Sequence, residues 1–418
     1  MKILSLSPYF GSRVASSYLG QNRNQRFMEE GFEMYSYAPT PSRGLTKEEI
    51  QYYRKNRTII RFNGHQTVHL FSMFNEGKNP ILRAFRYLLC AVKHFNRGVF
   101  AKDARKCDVM FIVSTPPIQG AMAALVKKCR RDHIPLIYNL QDIFPDSLVG
   151  TGLAKKGGLL WKIGRVIEDF TYRNSDKIIV ISKDFKNNII AKGVPEEKIE
   201  VIYNWVDQDA VKEIPRSENK LFTKYNLDSS KFYVTYCGNI GLTQNMDMLM
   251  EVAKDMEKYT DIHFVLVGNG AYKDELEKII KDRNIDNVTM IPFQPYEDIS
   301  HVFSLGDVGI IISKPGVGAN SVPSKTWSIM SASRPVLANF DENEIKTILE
   351  DNKCGIFTKA GDKEAFTNAI LHLYHHPELC REYGKNGRKF VMENLTKEIG
   401  TAKYVEVIKE VVASHQKQ

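Results

Sequence analysis

The 418-residue sequence lacks the signals of several protein classes. It has no uninterrupted apolar run of about 18 residues, so we expect no membrane-spanning helix. Its first strand-like stretch, residues 2–7, is too short for the core of a signal peptide and leads directly into polar sequence. The six cysteines include no Cys-x-x-Cys pair, which argues against a zinc site or a disulfide framework and favours reduced thiols in a cytosolic protein.

Basic and acidic residues are unevenly distributed along the chain. The net charge is +9, but residues 1–200 carry 32 basic against 18 acidic side chains, whereas residues 201–418 carry 26 against 31. Together with the length, this asymmetry suggests two domains with different partners. The basic half is expected to meet an anionic partner, which could be a membrane surface, a polyphosphate or a nucleic acid.

Short runs rich in valine and isoleucine alternate with helical stretches in both halves. This alternation is typical of an α/β protein with parallel, doubly wound sheets that are buried on both faces. The predicted strands are residues 2–7, 109–113, 136–140, 177–181, 233–236, 263–267, 288–291, 308–312 and 336–338. A strand-like stretch at residues 199–203 ends in a polar, proline-bearing segment near residues 204–215, which predicts the domain boundary. Residues 40–75 remain unassigned.

Residues 81–95 form the clearest amphipathic pattern. On a helical wheel a basic stripe lies opposite an apolar arc. The stripe consists of Arg83, Arg86, Lys93 and Arg97. The arc consists of Leu82, Phe85, Leu88, Leu89, Val92 and Phe95. Two interpretations remain open: a helix in a membrane interface with its basic edge on anionic headgroups, or an ordinary surface helix packed on the sheet.

Ligands of open parallel sheets gather at the carboxyl ends of the strands, so the loops there are candidate sites. Gly11 follows the first strand and could bring backbone N–H groups close to a phosphate. Asp142 and Asp146 follow the strand at residues 136–140. These carboxylates could position an acceptor hydroxyl, or equally could cap the next helix.

The second half has two loops suited to anions. Cys237-Gly-Asn-Ile-Gly241 follows a strand and precedes a helix near Gln244-Asn245, which is an anion-cradle arrangement. Gly268-Asn-Gly270 lacks the third glycine of a dinucleotide fingerprint. Residues 314–325 are the richest loop, because glycines, hydroxyl groups and the cation of Lys325 are concentrated there, as a diphosphate requires.

Two metal-like patterns are weak. Asp207-Gln-Asp209 has the Asp-x-Asp spacing that holds a divalent metal on nucleotide sugars, but it falls in the predicted linker and is interpreted as a solvated pair. His375-His376 lacks a third ligand. We therefore predict no metal site.

Taken in order, these loops and strands resemble the retaining glycosyltransferases of family 4, of GT-B type, over nearly the whole chain. The motifs that carry the resemblance are Glu168-Asp-Phe, Asp176-Lys-Ile-Ile-Val-Ile-Ser182, Asn204-Trp-Val-Asp207, Tyr236-Cys-Gly-Asn-Ile-Gly241, Phe264-Val-Leu-Val-Gly-Asn-Gly270 and Pro323-Ser-Lys-Thr-Trp-Ser-Ile-Met-Ser-Ala-Ser-Arg-Pro-Val336. The sequence is most similar to the WbuB-like branch, whose members build bacterial O-antigen and capsule repeats.

The resemblance implies two Rossmann-like domains that face each other across a cleft. Residues 1–205 would bind the acceptor, residues 210–397 would bind the nucleotide sugar, and a C-terminal helix at about 398–418 would cross back onto the first domain. The implied donor is a UDP-sugar, with an N-acetylated hexosamine or deoxy-hexosamine. The implied acceptor is an undecaprenyl-diphosphate-linked saccharide, which places the enzyme on the inner face of the bacterial plasma membrane.

The resemblance also assigns residue roles. Asp142 would orient the acceptor, Asn320 would contact the donor sugar and Lys325 would stabilise the leaving diphosphate. Further contacts with the donor are implied for Gly11, Asn239, Gly241, Gln244, Asn245, Pro292, Phe293, Gly316, Gly318, Ser321 and Ser324. The acceptor or membrane side would include Arg83, Arg86, Lys93, Arg97 and Asp146. Neither a cofactor nor a metal is implied, and nucleic acid is not an expected partner.

Three elements of the family pattern are altered, at five positions. The usual Glu-x7-Glu element is replaced by Asn320 and Ser328. The arginine and lysine that commonly grip the donor diphosphate are Asn239 and Gln244, and Gln141 stands where a histidine is expected after the acceptor-side strand. Two rival functions therefore stay open: a UDP-N-acetylglucosamine 2-epimerase on the same architecture, and a catalytically silent GT-B scaffold that binds nucleotide.

Overall fold

Two separate β-sheets organise the chain, and each lies in its own unit. The computed structural model describes residues 1–10, 17–41, 46–74, 79–150, 152, 154–319 and 321–417. Unit 1 comprises Met1–Tyr203 and Gly400–Gln418, and unit 2 comprises Asn204–Ile399. The predicted two-domain α/β fold with parallel sheets is confirmed.

Unit 1 is built on eight strands. They are β1 (Lys2–Leu6), β2 (Glu33–Pro39), β3 (Thr58–Arg61), β4 (Gln66–Phe71), β5 (Val109–Val113), β6 (Leu136–Leu140), β7 (Lys177–Val180) and β8 (Ile199–Val201). The sheet order is β3-β4-β2-β1-β5-β6-β7-β8. All neighbours pair in parallel except β3 and β4, which are antiparallel. The central strands β5 and β6 are almost wholly buried, which explains their continuous apolar sequence.

Helices cover the unit 1 sheet. They are α1 (Ser17–Glu29), α2 (Lys47–Lys55), α3 (Pro80–Phe100), α4 (Ile118–Cys129), α5 (Asp146–Gly150), α6 (Leu159–Asn174) and α7 (Lys183–Ala191). The helix α4 packs against both α3 and α6, so these three helices lie side by side. Their buried side chains join Leu4, Ile112 and Leu140 in one hydrophobic core.

Unit 2 contains a six-stranded parallel sheet. Its strands are β9 (Phe232–Asn239), β10 (Ile262–Asn269), β11 (Val288–Ile291), β12 (Val308–Ile312), β13 (Val336–Phe340) and β14 (Gly355–Lys359). Their order is β11-β10-β9-β12-β13-β14. The helices are α8 (Lys220–Lys224), α9 (Met246–Asp255), α10 (Lys273–Asp282), α11 (Ile299–Phe303), α12 (Lys325–Ser331), α13 (Glu344–Asp351), α14 (Lys363–His375) and α15 (Pro377–Asn394).

A last helix, α16 (Lys397–His415), begins in unit 2 and belongs to unit 1 from Gly400 onward. Within unit 1 its Tyr404 ring lies 5.9 Å from that of Phe111, and the Tyr404 hydroxyl bonds to Asn139 Oδ1 at 3.2 Å. The guanidinium of Arg23 lies 4.6 Å from the centre of the Phe111 ring. The helix is thereby anchored on the same side of the sheet as α1.

Candidate active site

The strands β9 and β10 end side by side in the same dipeptide, Gly-Asn. Gly268 lies opposite Gly238 in the parallel register, and Asn269 lies opposite Asn239. A Cβ atom at position 268 would lie only 1.9 Å from the carbonyl oxygen of Gly238. Glycine is therefore required at position 268, because only glycine lets the two strand ends approach this closely at the edge where ligands bind in such sheets.

We call the ends of β9 and β10 at Gly238 and Gly268 the glycine edge. Lys325, the first residue of α12, reaches this edge. Its Nζ lies 3.7 Å from the centre of the Tyr236 ring, and a Cβ at Gly238 would be 3.2 Å from that nitrogen. No carboxylate in the described part of the chain pairs with Lys325, and burial lowers its pKa to about 7. A desolvated cation without a counter-ion favours an anionic ligand beside it.

In the loop after β9, the backbone amide of Gly241 is already hydrogen-bonded within the loop. The N–H of Gly241 donates to Gln244 Oε1 at 3.0 Å. A Cβ at position 241 would come within 2.5 Å of Asn239 Nδ2, so the side chains of Asn239 and Gln244 both close around this glycine. Asn245 lies next to them, before α9, with its Nδ2 3.6 Å from Met248 Sδ. A diphosphate would bind the Gly241 amide only if Gln244 releases it.

The loop after β12 does not offer the amides that the sequence predicted. Both glycine N–H groups bond to the carboxylate of Asp341, Gly316 at 2.9 Å and Gly318 at 2.7 Å. The hydroxyl of Ser321 donates to the Gly318 carbonyl at 3.2 Å. These three donors already hold the loop in place, so the predicted diphosphate contacts of Gly316, Gly318 and Ser321 stay predictions that would require these bonds to break. Ser324 is exposed, next to Lys325.

Of the other residues predicted to contact the sugar nucleotide, only some lie within the described part of the chain. Asn320 and Gly11 lie outside the described residues. Pro292 and Phe293 directly follow β11, and 63% of the Phe293 surface is exposed. A ring in this exposed position is available for stacking, and its neighbour Gln294 is buried and fixed by bonds to the Pro292 carbonyl and Tyr225.

In unit 1, Asp142 follows β6 as predicted. Ser147, the second residue of α5, donates its hydroxyl to Asp142 Oδ2 at 3.0 Å, and burial raises the pKa of this carboxyl. Gln141, in the position where the family pattern expects histidine, donates its side-chain amide to Asn139 Oδ1 at 2.8 Å. The carboxylate therefore contacts the start of the next helix, which is one of the two interpretations left open by the sequence.

Asp146 belongs to a buried charge cluster. Its Oδ2 lies 2.8 Å from Lys192 Nζ, which also bonds to Glu168 at 3.0 Å. Burial opposes ionisation, but hydrogen bonds from Lys192 and Trp161 hold the pKa of Asp146 below its usual value. Asp146 thus links α5, α6 and the end of α7, while its acceptor-side role stays a prediction.

The helix α3 packs on its unit, but it does so with its basic side and not with its apolar side. Its basic stripe turns inward: Arg86 is buried and donates to the Phe74 carbonyl at 3.1 Å, and Lys93 donates to the Ser72 carbonyl at 2.7 Å. Arg97 stacks on Phe71 at 5.0 Å, and Arg83 is half-buried. The apolar side is largely exposed, at Leu82, Phe85, Leu88 and Val92, and further along at Phe100. The hydrogen bonds of Arg86 and Lys93 therefore hold the basic side of the helix against its unit, on the side away from the exposed apolar residues.

The helix α6 repeats this inverted arrangement. Glu168 faces the interior, whereas the apolar residues lie on the opposite side and are exposed: Leu159, Leu160, Ile163 and Val166. We refer to the exposed residues of α3 and α6 as the apolar stripes. Their periodicity is visible in the sequence, but that pattern ordinarily predicts a buried face, so sequence reasoning missed the second stripe.

The described residues contain no group of three or more metal-ligating side chains suited to a metal ion. Asp207 and Asp209 are both paired with Lys397 within unit 2, at 3.5 Å from Asp207 Oδ1 and 2.5 Å from Asp209 Oδ2 to Lys397 Nζ, and the side chain of Asp209 remains exposed to solvent. No helix in the part of the chain that the structure covers is long and apolar enough to cross a bilayer.

Comparison with known families divides the chain in the same two parts. Residues 24–210 match the family described as Glycosyltransferase Family 4, and residues 217–390 match Glycosyl transferases group 1. The probable glycosyltransferase WbjE of Pseudomonas aeruginosa is 23% identical over 82% of this chain and 84% of its own length. The putative colanic acid biosynthesis glycosyl transferase WcaI of Escherichia coli K12 is 28% identical over 47% of this chain, but only 48% of WcaI is covered.

Solved structures agree on the fold. HepE of Anabaena, in complex with UDP and glucose, superposes with a TM-score of 0.73 at 16% identity over 98% of this chain and 100% of its own. Sucrose-phosphate synthase of Thermosynechococcus elongatus gives a TM-score of 0.75 at 16% identity, covering 99% of each chain. The chain carries a family 4 domain followed by a group 1 domain, and it belongs to the glycosyltransferases of the GT-B fold.

Proposed function

We propose that this glycosyltransferase moves a sugar from a UDP-sugar to a lipid-linked saccharide during synthesis of a bacterial surface polysaccharide. The observation that carries the donor assignment is Lys325, a cation without a counter-ion at the glycine edge of unit 2. UDP is favoured because HepE, which shares the fold, binds UDP. Polysaccharide synthesis is favoured by the similarity to WcaI, whose name refers to colanic acid.

Lys325 would act on the leaving group. As the bond between the anomeric carbon and the phosphate oxygen breaks, negative charge develops on UDP, and a protonated Lys325 next to that oxygen stabilises it. The anionic diphosphate also raises the pKa of the lysine, so the cation forms where it is needed. The lysine thus supplies positive charge without a metal ion, and chelation by EDTA is expected to leave turnover unchanged.

The transfer would proceed with retention, by attack of the acceptor on the face from which UDP departs. The acceptor oxygen bonds to the anomeric carbon, and its proton passes to the departing phosphate oxygen, so no protein base is required. Asp142 would orient the acceptor hydroxyl. Retention and membership of the WbuB-like branch rest on sequence resemblance, and the anomeric configuration of the product, read by NMR, tests the first of them.

The acceptor side would lie on unit 1 at a membrane surface. The apolar stripes expose nine large apolar side chains on α3 and α6, which are adjacent to the same helix, α4. Exposed lysines, Lys155, Lys156 and Lys162, lie before and within the start of α6. Apolar side chains bordered by lysines suit the interface of a bilayer with anionic lipids, such as the cytoplasmic face of a bacterial plasma membrane.

The decisive experiment is an assay of UDP-sugars with membrane-extracted acceptor lipids, with product identified by mass spectrometry. Transfer that needs both substrates supports the proposal. Conversion of the UDP-sugar alone into its 2-epimer would show an epimerase instead. UDP binding without any turnover, for every donor and acceptor tried, would show a nucleotide-binding scaffold.

A further inference from the structure

A basic pocket of about 430 Å³ lies on unit 1, and all of its lining residues belong to that unit. Three cations and two small polar groups line it over an aromatic floor: Arg57, Lys93, Arg97, Ser72, Asn96 and Phe71. The lining residues come from the segment before β3, the end of β4 and the helix α3. We call this cavity the basic pocket.

The cations of the basic pocket are held in place by neutral groups. Arg57 donates to Ser72 Oγ at 2.9 Å, and Lys93 donates to the Ser72 carbonyl at 2.7 Å. The charged groups of Lys93 and Arg97 lie 5.7 Å and 5.0 Å from the centre of the Phe71 ring. These contacts orient all three charges around Phe71 and Ser72 without neutralising any of them.

Within the described residues, none of these three cations forms an ion pair with a carboxylate. The acidic residue that follows α3, Asp103, is already paired with Lys106 at 3.0 Å and with His69 at 3.3 Å. Like charges that converge without a counter-ion repel one another, so an anion in the pocket would relieve that repulsion. Arginine and lysine with a hydroxyl group are the donors that phosphate oxygens prefer.

The position of the pocket also indicates a ligand. Leu70, Phe71 and Ser72 lie at the carboxyl end of β4, which runs parallel to β2 and β1. The carboxyl ends of parallel strands form the ligand-binding edge of a doubly wound sheet. Next to the pocket on α3, Val92 is exposed one residue before Lys93, and it belongs to an apolar stripe.

We propose that the basic pocket binds a phosphate group, and that the neighbouring apolar stripe favours a phosphate carried by a lipid. The inference deepens the proposed function, because it rests on unit 1 taking a lipid-linked acceptor at a membrane. Its test contains no sugar nucleotide, so failure of phosphate binding and failure of sugar transfer are separate results.

The test compares three forms of the full chain: wild type, Arg57→Gln with Arg97→Gln, and a control, Arg131→Gln with Lys278→Gln. The control removes the same charge from exposed positions outside the pocket. Binding is measured to inorganic pyrophosphate by calorimetry, and to vesicles of phosphatidylcholine with phosphatidylglycerol by flotation. Because Arg97 is half-buried, the exposed single variant Arg57→Glu is tested as well, and thermal unfolding verifies that each form is folded.

Losing two charge-assisted contacts should weaken binding at least tenfold in the pocket variant, while the control stays within about twofold of wild type. Loss for both probes supports a general phosphate site. Loss only for the vesicles identifies a lipid headgroup, and loss only for pyrophosphate identifies a soluble phosphate. The proposal is overturned if wild type binds neither probe, or if the pocket variants bind both probes as well as the control.

Discussion

The ammonium group of Lys325 lies 3.7 Å from the centre of the Tyr236 ring. The face of an aromatic ring attracts a cation, but far less strongly than a carboxylate does, and the ring brings no charge of its own. Lys325 is therefore held in position while its charge remains available. That combination suits a residue that must meet a diphosphate whose negative charge grows during the reaction.

Lys325→Ala is expected to reduce kcat/KM by a factor that corresponds to about 2–4 kcal/mol, because one contact with the developing charge is lost. Lys325→Arg should retain part of the rate, and Lys278→Ala, an exposed lysine of the same unit, should retain all of it. Steady-state kinetics on the folded variants measure this. Wild-type kinetics in Lys325→Ala would remove Lys325 from the mechanism.

The protonation of Lys325 should couple both stability and UDP binding to pH. Burial lowers its pKa to about 7 from an ordinary value of 10.5, so between these values the unfolded chain binds more protons than the folded one. The free energy of unfolding of wild type, relative to Lys325→Met, should therefore rise as pH increases from about 7 to 10.5.

The affinity for UDP should fall over the same pH range in which the stability rises. Above about pH 7, Lys325 is mostly neutral in the protein without UDP and must take up a proton when UDP binds. The dissociation constant of UDP from wild type should therefore increase with pH. Calorimetric titrations at several pH values test this. An equal pH dependence in Lys325→Met would assign it to another group.

Gly268→Ala should distort the glycine edge, because there is no room for the added methyl group. The new methyl group would lie 1.9 Å from the Gly238 carbonyl oxygen, so β9 and β10 must separate at their ends. We expect a loss of stability of about 1–3 kcal/mol together with weaker UDP binding. Gly20→Ala is the control, because only Arg23 lies near that position, at 3.9 Å, inside α1. Chemical denaturation measures both, and a neutral Gly268→Ala would contradict the close approach.

Asp142→Asn should impair turnover with the acceptor without changing the binding of the donor nucleotide. If Asp142 orients the acceptor hydroxyl, its amide variant should lower turnover about 10- to 100-fold and leave the UDP dissociation constant unchanged. The Ser147 hydroxyl can still bond to the remaining amide oxygen, so the start of α5 is preserved. Ser147→Ala reports on that bond alone. If Ser147→Ala lost as much activity as Asp142→Asn, the role of Asp142 would be structural.

The apolar stripes give a prediction about vesicles. Leu159→Ser with Ile163→Ser removes two exposed apolar side chains of α6 and should weaken partition onto anionic vesicles about tenfold or more, with little change in stability. Leu242→Ser with Met392→Ser removes two exposed apolar side chains of unit 2 and serves as the control. Equal partition of both variants would exclude α6 from the bilayer contact.

Much of the fold was predictable, because buried parallel strands leave continuous apolar runs. All nine predicted strands are present, with β5, β6, β11 and β12 at their predicted bounds, and β8 lies in the strand-like stretch at residues 199–203. Four strands were missed for a physical reason. The strand β4 carries Gln66, Thr67 and His69, and β2 mixes polar and apolar residues. Both β3 and β14 are edge strands, and every side chain of β3 is exposed or half-exposed.

The candidate site was predictable only in its location. Sequence order places the glycines and Lys325 at the carboxyl ends of strands, but it does not reveal which donors are already occupied. Asp341 lies more than twenty residues from Gly316 and Gly318 in sequence, and its bonds to their amides depend on the fold. Likewise, the orientation of α3 depends on carbonyl groups at Ser72 and Phe74 that attract its cations inward.

The path of α16 sets an order for folding during synthesis. Unit 2 is one continuous segment, Asn204–Ile399, whereas unit 1 needs residues from both ends of the described chain. Although most of unit 1 leaves the ribosome first, the aromatic contact of Phe111 and the bond of Asn139 must wait for Tyr404. The first-made unit is therefore the last to be completed, and its unfinished state lasts for the time needed to translate all of unit 2.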